Sequence, residues 1–372
     1  MNFNIPCKAL CARLSALSKV ISSKNTISIL GDFLFDLKDG VLTITASDSE
    51  TIMTSTIEVY EAEGEGSFAT DAKSLLDLLK ELPDQPITFD VDEERYGLKI
   101  SFMNGLYNIA GEDGVEFPRK ADLGETVHEF TISESYAKKG IENTVFAVGT
   151  EDMRRIMMGI LWDIKPDYIT FVASDTHMLV RYRNDKIKTG ITATFVLPSK
   201  AATALNNVLT PSEDPVKVIF DSKTVEFELA DYSLTCRVIN GRYPNYNSVI
   251  PRVDAASTLN VERQPLLAAS RRMSALASTG GLVKLEISSE HVLLTTHNEE
   301  MPLRSEETVP CEYDGDEMMI GFNANKVVEI LSNMCSQNVA IKLLDPSRAG
   351  VIIPDDTEEG EDMLCLLMPM ML

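Results

Sequence analysis

The sequence predicts an α+β chain of three similar domains, each made of two strand-helix-strands halves, and three observations carry that prediction. The stretch Asp36–Asp48 returns without a gap as Asp163–Asp175, both copies ending in Ala-Ser-Asp. Ala69–Leu78 lines up with Val196–Leu205 and again with Phe322–Leu331. Phe117-Pro118 and Tyr243-Pro244, 126 residues apart, close the first two units. The repeat fills the 372 residues and divides them into domains at 1–125, 126–252 and 253–372. Units of that length can each bury a core, unlike the short repeats of a solenoid.

Taken in order, the first domain opens with a strand over Met1–Ile5 and a helix over Pro6–Val20, where Leu10, Leu14 and Leu17 fall on one face. The polar loop Ser22–Thr26 leads into the duplicated hairpin, whose apolar residues alternate on either side of a tight turn as a half-buried strand pair requires. A strand over Thr51–Val59, an acidic turn, a helix over Asp71–Leu82 and strands over Ile87–Val91, Leu98–Phe102 and Leu106–Ala110 complete the unit. The second domain repeats this plan with strand Glu129–Ser133, helix Glu134–Phe146, the second hairpin, helix Pro198–Leu209 and strands near Val216–Phe220, Thr224–Leu229 and Leu234–Ile239. Turn-formers and prolines in Gly241–Pro251 make a fixed link. The third domain has helix Glu262–Ala277, hairpin strands Val283–Ile287 and His291–Thr296, helix Asn323–Met334 and strand Val339–Leu343. The end, Leu364–Leu372, carries no charged side chain and by itself reads as a final core strand.

Composition bounds the function. With 44% hydrophobic and 24% charged residues the chain is an ordinary globular protein. Its first residues lack the layout of a secretory signal and no apolar run reaches the length of a membrane span, so it reads as cytoplasmic. Cys7, Cys11, Cys236, Cys311, Cys335 and Cys365 never form a Cys-x-x-Cys pair and the histidines are scattered, so neither a metal site nor a cofactor is expected.

A net charge of -23 argues at first against a nucleic-acid partner. Its distribution argues the other way. In the expected helices Lys8, Arg13, Lys19, Lys73, Lys80, Lys138, Lys139, Lys200, Arg263, Arg271, Arg272 and Lys326 outnumber Asp71, Asp77, Glu81, Glu134, Glu142, Glu262 and Glu329. The helices are net basic and everything else is strongly acidic, which suits a protein that turns its helices toward a polyanion. Lysines that merely solvate outer helix faces would give a similar count. The matched placement of Lys73, Lys200 and Lys326 favours the first reading.

Several motifs together resemble the bacterial DNA polymerase III beta subunit family of sliding clamps. These are the triplicated domain, Ala173-Ser174-Asp175-Thr176-His177, Gly241-Arg242-Tyr243-Pro244-Asn245-Tyr246 with Val249 and Pro251, Gly321-Phe322-Asn323 and Met368-Pro369-Met370. The resemblance covers the whole chain. It implies the DNA clamp fold: two chains joined head to tail into a ring, helices inside around duplex DNA and sheets outside. It places the contact between Gly105–Ala110 and the third domain, with Met273 and Leu276 as apolar neighbours. It also implies a groove that takes short peptides from the polymerase catalytic subunit, the clamp loader and repair proteins. By position that groove comprises Met157, Ser174, Thr176, His177, Met178, Leu179, Pro244, Val249, Asn323 and the tail Leu366, Leu367, Met368, Pro369, Met370, Met371 and Leu372. The DNA-contacting candidates are Lys24, Lys73, Arg154, Arg155, Lys200 and Lys326. Many family members carry glycine at the position of Thr176 and arginine at those of Met178 and Met371, so this groove is richer in thioethers.

Two other functions were weighed. Ser174, Asp175 and His177 cluster as a hydrolase would need, but strand alternation would aim the serine away from the other two, and no nucleophile elbow, P-loop or zinc motif accompanies them. The resemblance implies an accessory subunit without its own catalytic site. The remaining alternative is a non-catalytic peptide-binding scaffold that does not encircle DNA.

Overall fold

The computed structural model describes residues 1–22, 27–92, 94–118, 123–124, 126–252, 256–278, 280–298 and 303–372. Among the described residues, six α-helices come two per repeat: α1 (Cys7–Leu17), α2 (Ala72–Glu81), α3 (Glu134–Glu142), α4 (Ser199–Asn206), α5 (Arg263–Leu276) and α6 (Ala324–Ser332). Their starts are written in the sequence. Asp71 accepts the Ser74 N–H at 2.7 Å, Asn323 accepts those of Asn325 and Lys326, and Pro6 and Pro198 stand immediately before α1 and α4. Their ends are earlier than expected. In α1 the Ser18 hydroxyl turns back to the Ser15 carbonyl, and in α3 the Thr144 hydroxyl takes the Gly140 carbonyl at 2.6 Å. The predicted remainder of α3 becomes a separate 3-10 turn, Val145–Ala147.

All strand pairs are antiparallel. A nine-stranded sheet runs in the order 111–113, 66–71, 32–38, 41–47, 51–58, 232–237, 224–228, 215–220 and 128–133. Its middle join, Thr51–Glu58 with Tyr232–Arg237, crosses from the first repeat to the second. A twelve-stranded sheet runs 193–198, 159–165, 168–174, 178–184, 361–367, 350–354, 338–343, 257–262, 303–313, 291–298, 282–287 and 318–323. It crosses from the second repeat to the third where Met178–Asn184 pairs with Glu361–Leu367. A five-stranded sheet, 60–63, 2–6, 86–91, 98–102 and 105–109, completes the first repeat. Because two sheets run through the junctions, the chain parts into two compact units that share out the second repeat: 1–138 with 200–238, and 139–199 with 239–372.

The two hairpin copies turn differently. Asp39 and Gly40 both adopt positive φ, 49° and 75°, as a type I′ turn needs. Pro166 in the second copy has its φ fixed near -65° by its ring, so that turn is of another kind.

Each unit has an aromatic core. Phe3 stacks on Phe89 and Phe35 on Phe68, both with centroids 5.0 Å apart, and in the second unit Trp162 meets Phe171 edge-on at 4.6 Å. Burying rings of this size contributes roughly 2–3 kcal/mol apiece. Gly140 is required here: a Cβ on it would lie 2.5 Å from the Phe171 ring.

Asp32 is an exception to this consistency. It lies opposite Asp71 in the strand register, and burial first, then Glu112 and Asp71, push its pKa up to about 6. A folded-state pKa above the ordinary 3.8 means that the native chain holds more protons between these values, so stability falls as pH rises through that window. Asp32→Asn should therefore raise the melting temperature at about pH 8, by an amount worth about 1–2 kcal/mol after solvent screening, and change it little near pH 4. Thermal scans at the two pH values check this; an equal effect at both would contradict it.

Candidate functional site

The same loop is built twice. In the first copy Ser47 Oγ receives the Ser49 N–H at 3.1 Å, and Asp48 Oδ1 receives those of Glu50 and Thr51 at 3.1 and 2.7 Å. In the second, Ser174 Oγ receives the Thr176 N–H at 3.2 Å, and Asp175 Oδ1 receives those of His177 and Met178 at 2.9 and 2.8 Å. Both loops pass through a left-handed residue, Ser49 at φ 75° and Thr176 at φ 80°. The other oxygen of each aspartate binds a lysine from the second helix of the next repeat: Asp48 Oδ2 to Lys200 Nζ and Asp175 Oδ2 to Lys326 Nζ, each at 2.5 Å. Lys200 is the second residue of α4 whereas Lys326 is the third of α6, so the match read from the sequence is off by one position, yet both lysines reach their aspartate. Burial works against the charge on Lys326, but Asp175 and Glu329 more than offset this and leave its pKa raised.

The second loop borders a cavity of about 90 Å³, lined by Gly149, Thr150, Glu151, Arg154, Met157, Asp175, Thr176 and His177. Next to it lies the tail. Met368 donates its N–H to the His177 carbonyl and Met370 to that of Gly321, both at 2.8 Å, so the last residues bridge from the loop to strand Met318–Asn323. A Cβ on Gly321 would meet the Leu372 side chain at 2.9 Å and the Met370 carbonyl at 3.0 Å, so the residue that receives the tail has to be small. Leu161, Val172, Leu179, Val196, Ala349 and Leu366 make an apolar floor with Tyr243 and Tyr246 packed against it. The Tyr246 hydroxyl donates to Asp163 at 2.8 Å.

The expected groove residues divide into two sets. Ser174, Met178, Leu179, Leu366 and Leu367 are buried and form floor or frame. His177, Pro244, Val249, Met368, Met371 and Leu372 are exposed, while Met157, Thr176, Asn323, Pro369 and Met370 are partly so. The tail is a strand as far as Leu367 and an open segment beyond. Strand alternation does not govern Ser174, Asp175 and His177, since the strand stops at Ser174, whose hydroxyl donates to the Met178 carbonyl. Of the DNA candidates, Lys73, Arg154 and Arg155 are exposed, Lys200 and Lys326 are ion-paired as above, and Lys24 lies outside the described residues.

Family models of the DNA polymerase III beta subunit match end to end: its N-terminal domain over residues 1–119, its central domain over 131–245 and its C-terminal domain over 247–371. The chain belongs to the DNA polymerase III beta subunit family. Among relatives, the beta sliding clamp of Escherichia coli (strain K12) and that of Haemophilus influenzae are each 26% identical over the full length of both chains. Among solved structures, a DnaN sliding clamp from Bartonella birtlesii bound to griselimycin superposes with a TM-score of 0.92 at 25% identity, covering 100% of each chain. The DNA polymerase sliding clamp of Bacillus subtilis gives 0.89 at 25%, covering 100% of this chain and 99% of that one. The fold is thus the three-domain α+β clamp fold.

Against the beta subunit pattern, sequence reasoning missed Asp175 as the lock of the loop, Gly149 and Thr150 in the cavity wall and the tyrosines of the floor. The signal for Asp175 was present in the duplicated Ser-Asp ending of the hairpins; its lysine partner was visible only as a charge. Thr176 stands where many family members have glycine, and the backbone explains why glycine is favoured. A β-branched residue at positive φ carries about 1–2 kcal/mol of steric cost, partly balanced by the entropy that glycine would lose. Thr176→Gly should raise the urea midpoint by the equivalent of about 0.5–1 kcal/mol, whereas Thr176→Val should not raise it. Equilibrium denaturation checks this, and an unchanged or lower midpoint for the glycine variant would contradict it.

Proposed function

We propose that this chain is a sliding clamp: two copies join head to tail into a ring that encircles duplex DNA regardless of sequence. It tethers the polymerase catalytic subunit, the clamp loader and repair proteins through short peptides held in the groove of Met157, Thr176, His177, Pro244, Val249, Asn323 and Met368–Leu372. In this reading it is an accessory subunit that works in the cytoplasm; among the described residues no helix is long and apolar enough to cross a membrane.

The observation that carries the proposal is the repeated junction. Twice, the last strand of one repeat pairs with the strand that follows the hairpin of the repeat before it: Thr51 faces Cys236, and Met178 faces Leu367. The hairpin registers, Ser47 with Ile52, Ser174 with Leu179 and His297 with Arg304, make Leu303 the third counterpart of Thr51 and Met178. The strand pairs Leu98 with Ile109 and Val225 with Cys236 make Ile109 the counterpart of Cys236. Gly105–Ile109 lies at the edge of the five-stranded sheet, with Met103, Leu106 and Tyr107 exposed. Strand 303–313 meets 257–262 only at Cys311–Tyr313, so Leu303–Pro310 and Gly105–Ile109 each lack the neighbour that their equivalents have, and a second copy supplies both. Closure of such a head-to-tail contact gives a ring. Leu276 is exposed and can join this contact, but Met273 is buried inside the third repeat and cannot, a correction to the expectation from the resemblance.

DNA inside such a ring is retained by topology, so few phosphate contacts are needed and an acidic protein can still slide. Arg154 and Arg155, exposed on one loop, are proposed as contacts along with Lys73. Lys200 and Lys326 would have to give up a carboxylate to contribute.

Carrying the two registers onto the third junction sets Tyr107 opposite Ser305 of the second copy. A variant with Tyr107→Cys and Ser305→Cys should form covalent dimers under mild oxidation that neither single variant forms; failure to cross-link would remove this register. After loading, the protein should stay on nicked circular plasmid and run off when the plasmid is cut. Equal retention on both forms would instead support the scaffold that does not enclose DNA.

A further inference from the structure

The Lys200–Asp48 and Lys326–Asp175 bonds are the same device at two places; the second loop borders a cavity and holds the chain's last residues through Met368, where the first holds Arg237 instead. We propose that Lys326 is a positioning residue of the peptide groove, acting through Asp175. The inference rests on the groove reading above and adds the residue that sets the groove's shape from beneath.

Asp175 divides its carboxylate. Oδ1 fixes the N–H groups of His177 and Met178, and Oδ2 takes Lys326. The Asp175 side chain is only 14% exposed, so removing the ammonium leaves a poorly hydrated charge. The cheapest response is for the carboxylate to rotate toward water, which loosens its two backbone bonds. Thr176, between them, sits at φ 80° and has strain to release once they weaken. The His177 carbonyl is one of the two backbone anchors of the tail. The other is Gly321, in the strand that runs directly into α6, where Lys326 is the third residue. Both anchors of Met368–Met370 therefore lead back to one ion pair, although Lys326 itself is not among the residues that line the cavity.

The first junction supplies an internal control, because breaking its bond costs the same chemistry at a loop that carries no tail. The test uses the full-length protein and the catalytic subunit of DNA polymerase III from the same organism, immobilised for surface plasmon resonance. Lys326→Gln and Asp175→Asn should each weaken binding by about fivefold, and their combination should be no worse than either alone. Lys326→Arg, which can still reach Asp175, should restore binding to about the wild-type level, and Asp48→Asn should leave it unchanged. The second readout is the 13C-methyl spectrum of the methionines, in which Lys326→Gln should shift Met368 and Met370 and Asp48→Asn should not. Unchanged affinity and methyl shifts in Lys326→Gln would overturn the proposal, as would an equal loss of binding in Asp48→Asn. A wild-type protein that does not bind the polymerase subunit, or binds equally well after deletion of Met368–Leu372, would defeat the groove reading instead. The methionine spectrum would then still decide whether Lys326 positions the tail.

Discussion

The structure depends on one constraint: a sheet edge inside a folded chain must find a partner. Each repeat ends in a strand whose outer N–H and C=O groups would otherwise face solvent in a row. Pairing that strand with the one after the preceding hairpin satisfies both edges and fixes the register, Met178 on Leu367 in one case and Thr51 on Cys236 in the other. Register then decides which loop meets which helix. The aspartate that follows each of the first two hairpins arrives beside a lysine of the next repeat, and at the second junction the same geometry brings the chain's last residues against the loop.

The ion pairs that mark these junctions are better understood as geometry than as adhesion. Each involves a partly exposed lysine, and pairs of that kind contribute of the order of 1 kcal/mol or less. Their worth lies in orienting a carboxylate that holds two backbone groups. They also bear on the charge pattern. The acids within the six helices are Asp77, Glu81, Glu134, Glu142 and Glu329, fewer than the basic residues there, but two of the matched lysines already have carboxylate partners from the hairpin loops. A count of helix charge therefore overstates what is left for a polyanion.

Much of the architecture was legible because duplication writes the same physics several times. The hairpins, the helix starts at Asp71 and Asn323 and the buried faces of Leu10, Leu14 and Leu17 all follow local rules. The helix ends were less legible, since Ser18 and Thr144 stop α1 and α3 through side-chain bonds to the backbone that compete with helix continuation and that periodicity does not register. The residue list of the proposed groove was carried by family resemblance, and burial separates its members: Met178 and Leu179 are inside while Val249 and Met371 are exposed. The role of Asp175 needed three dimensions, because its lysine lies far away in sequence. The one-residue offset of Lys326 in α6 could be seen only once the helix starts were known.

The division of the second repeat between the two compact units carries a mechanical consequence. Evolution copied this chain in thirds, yet cohesion groups it in two, because strands of the middle third belong to the two sheets that also hold strands of the outer thirds. Domains by ancestry and domains by cooperativity need not coincide. For this molecule cooperative unfolding would follow the two compact units, and the borders between repeats, which look like hinges on a sequence map, would be welds inside them.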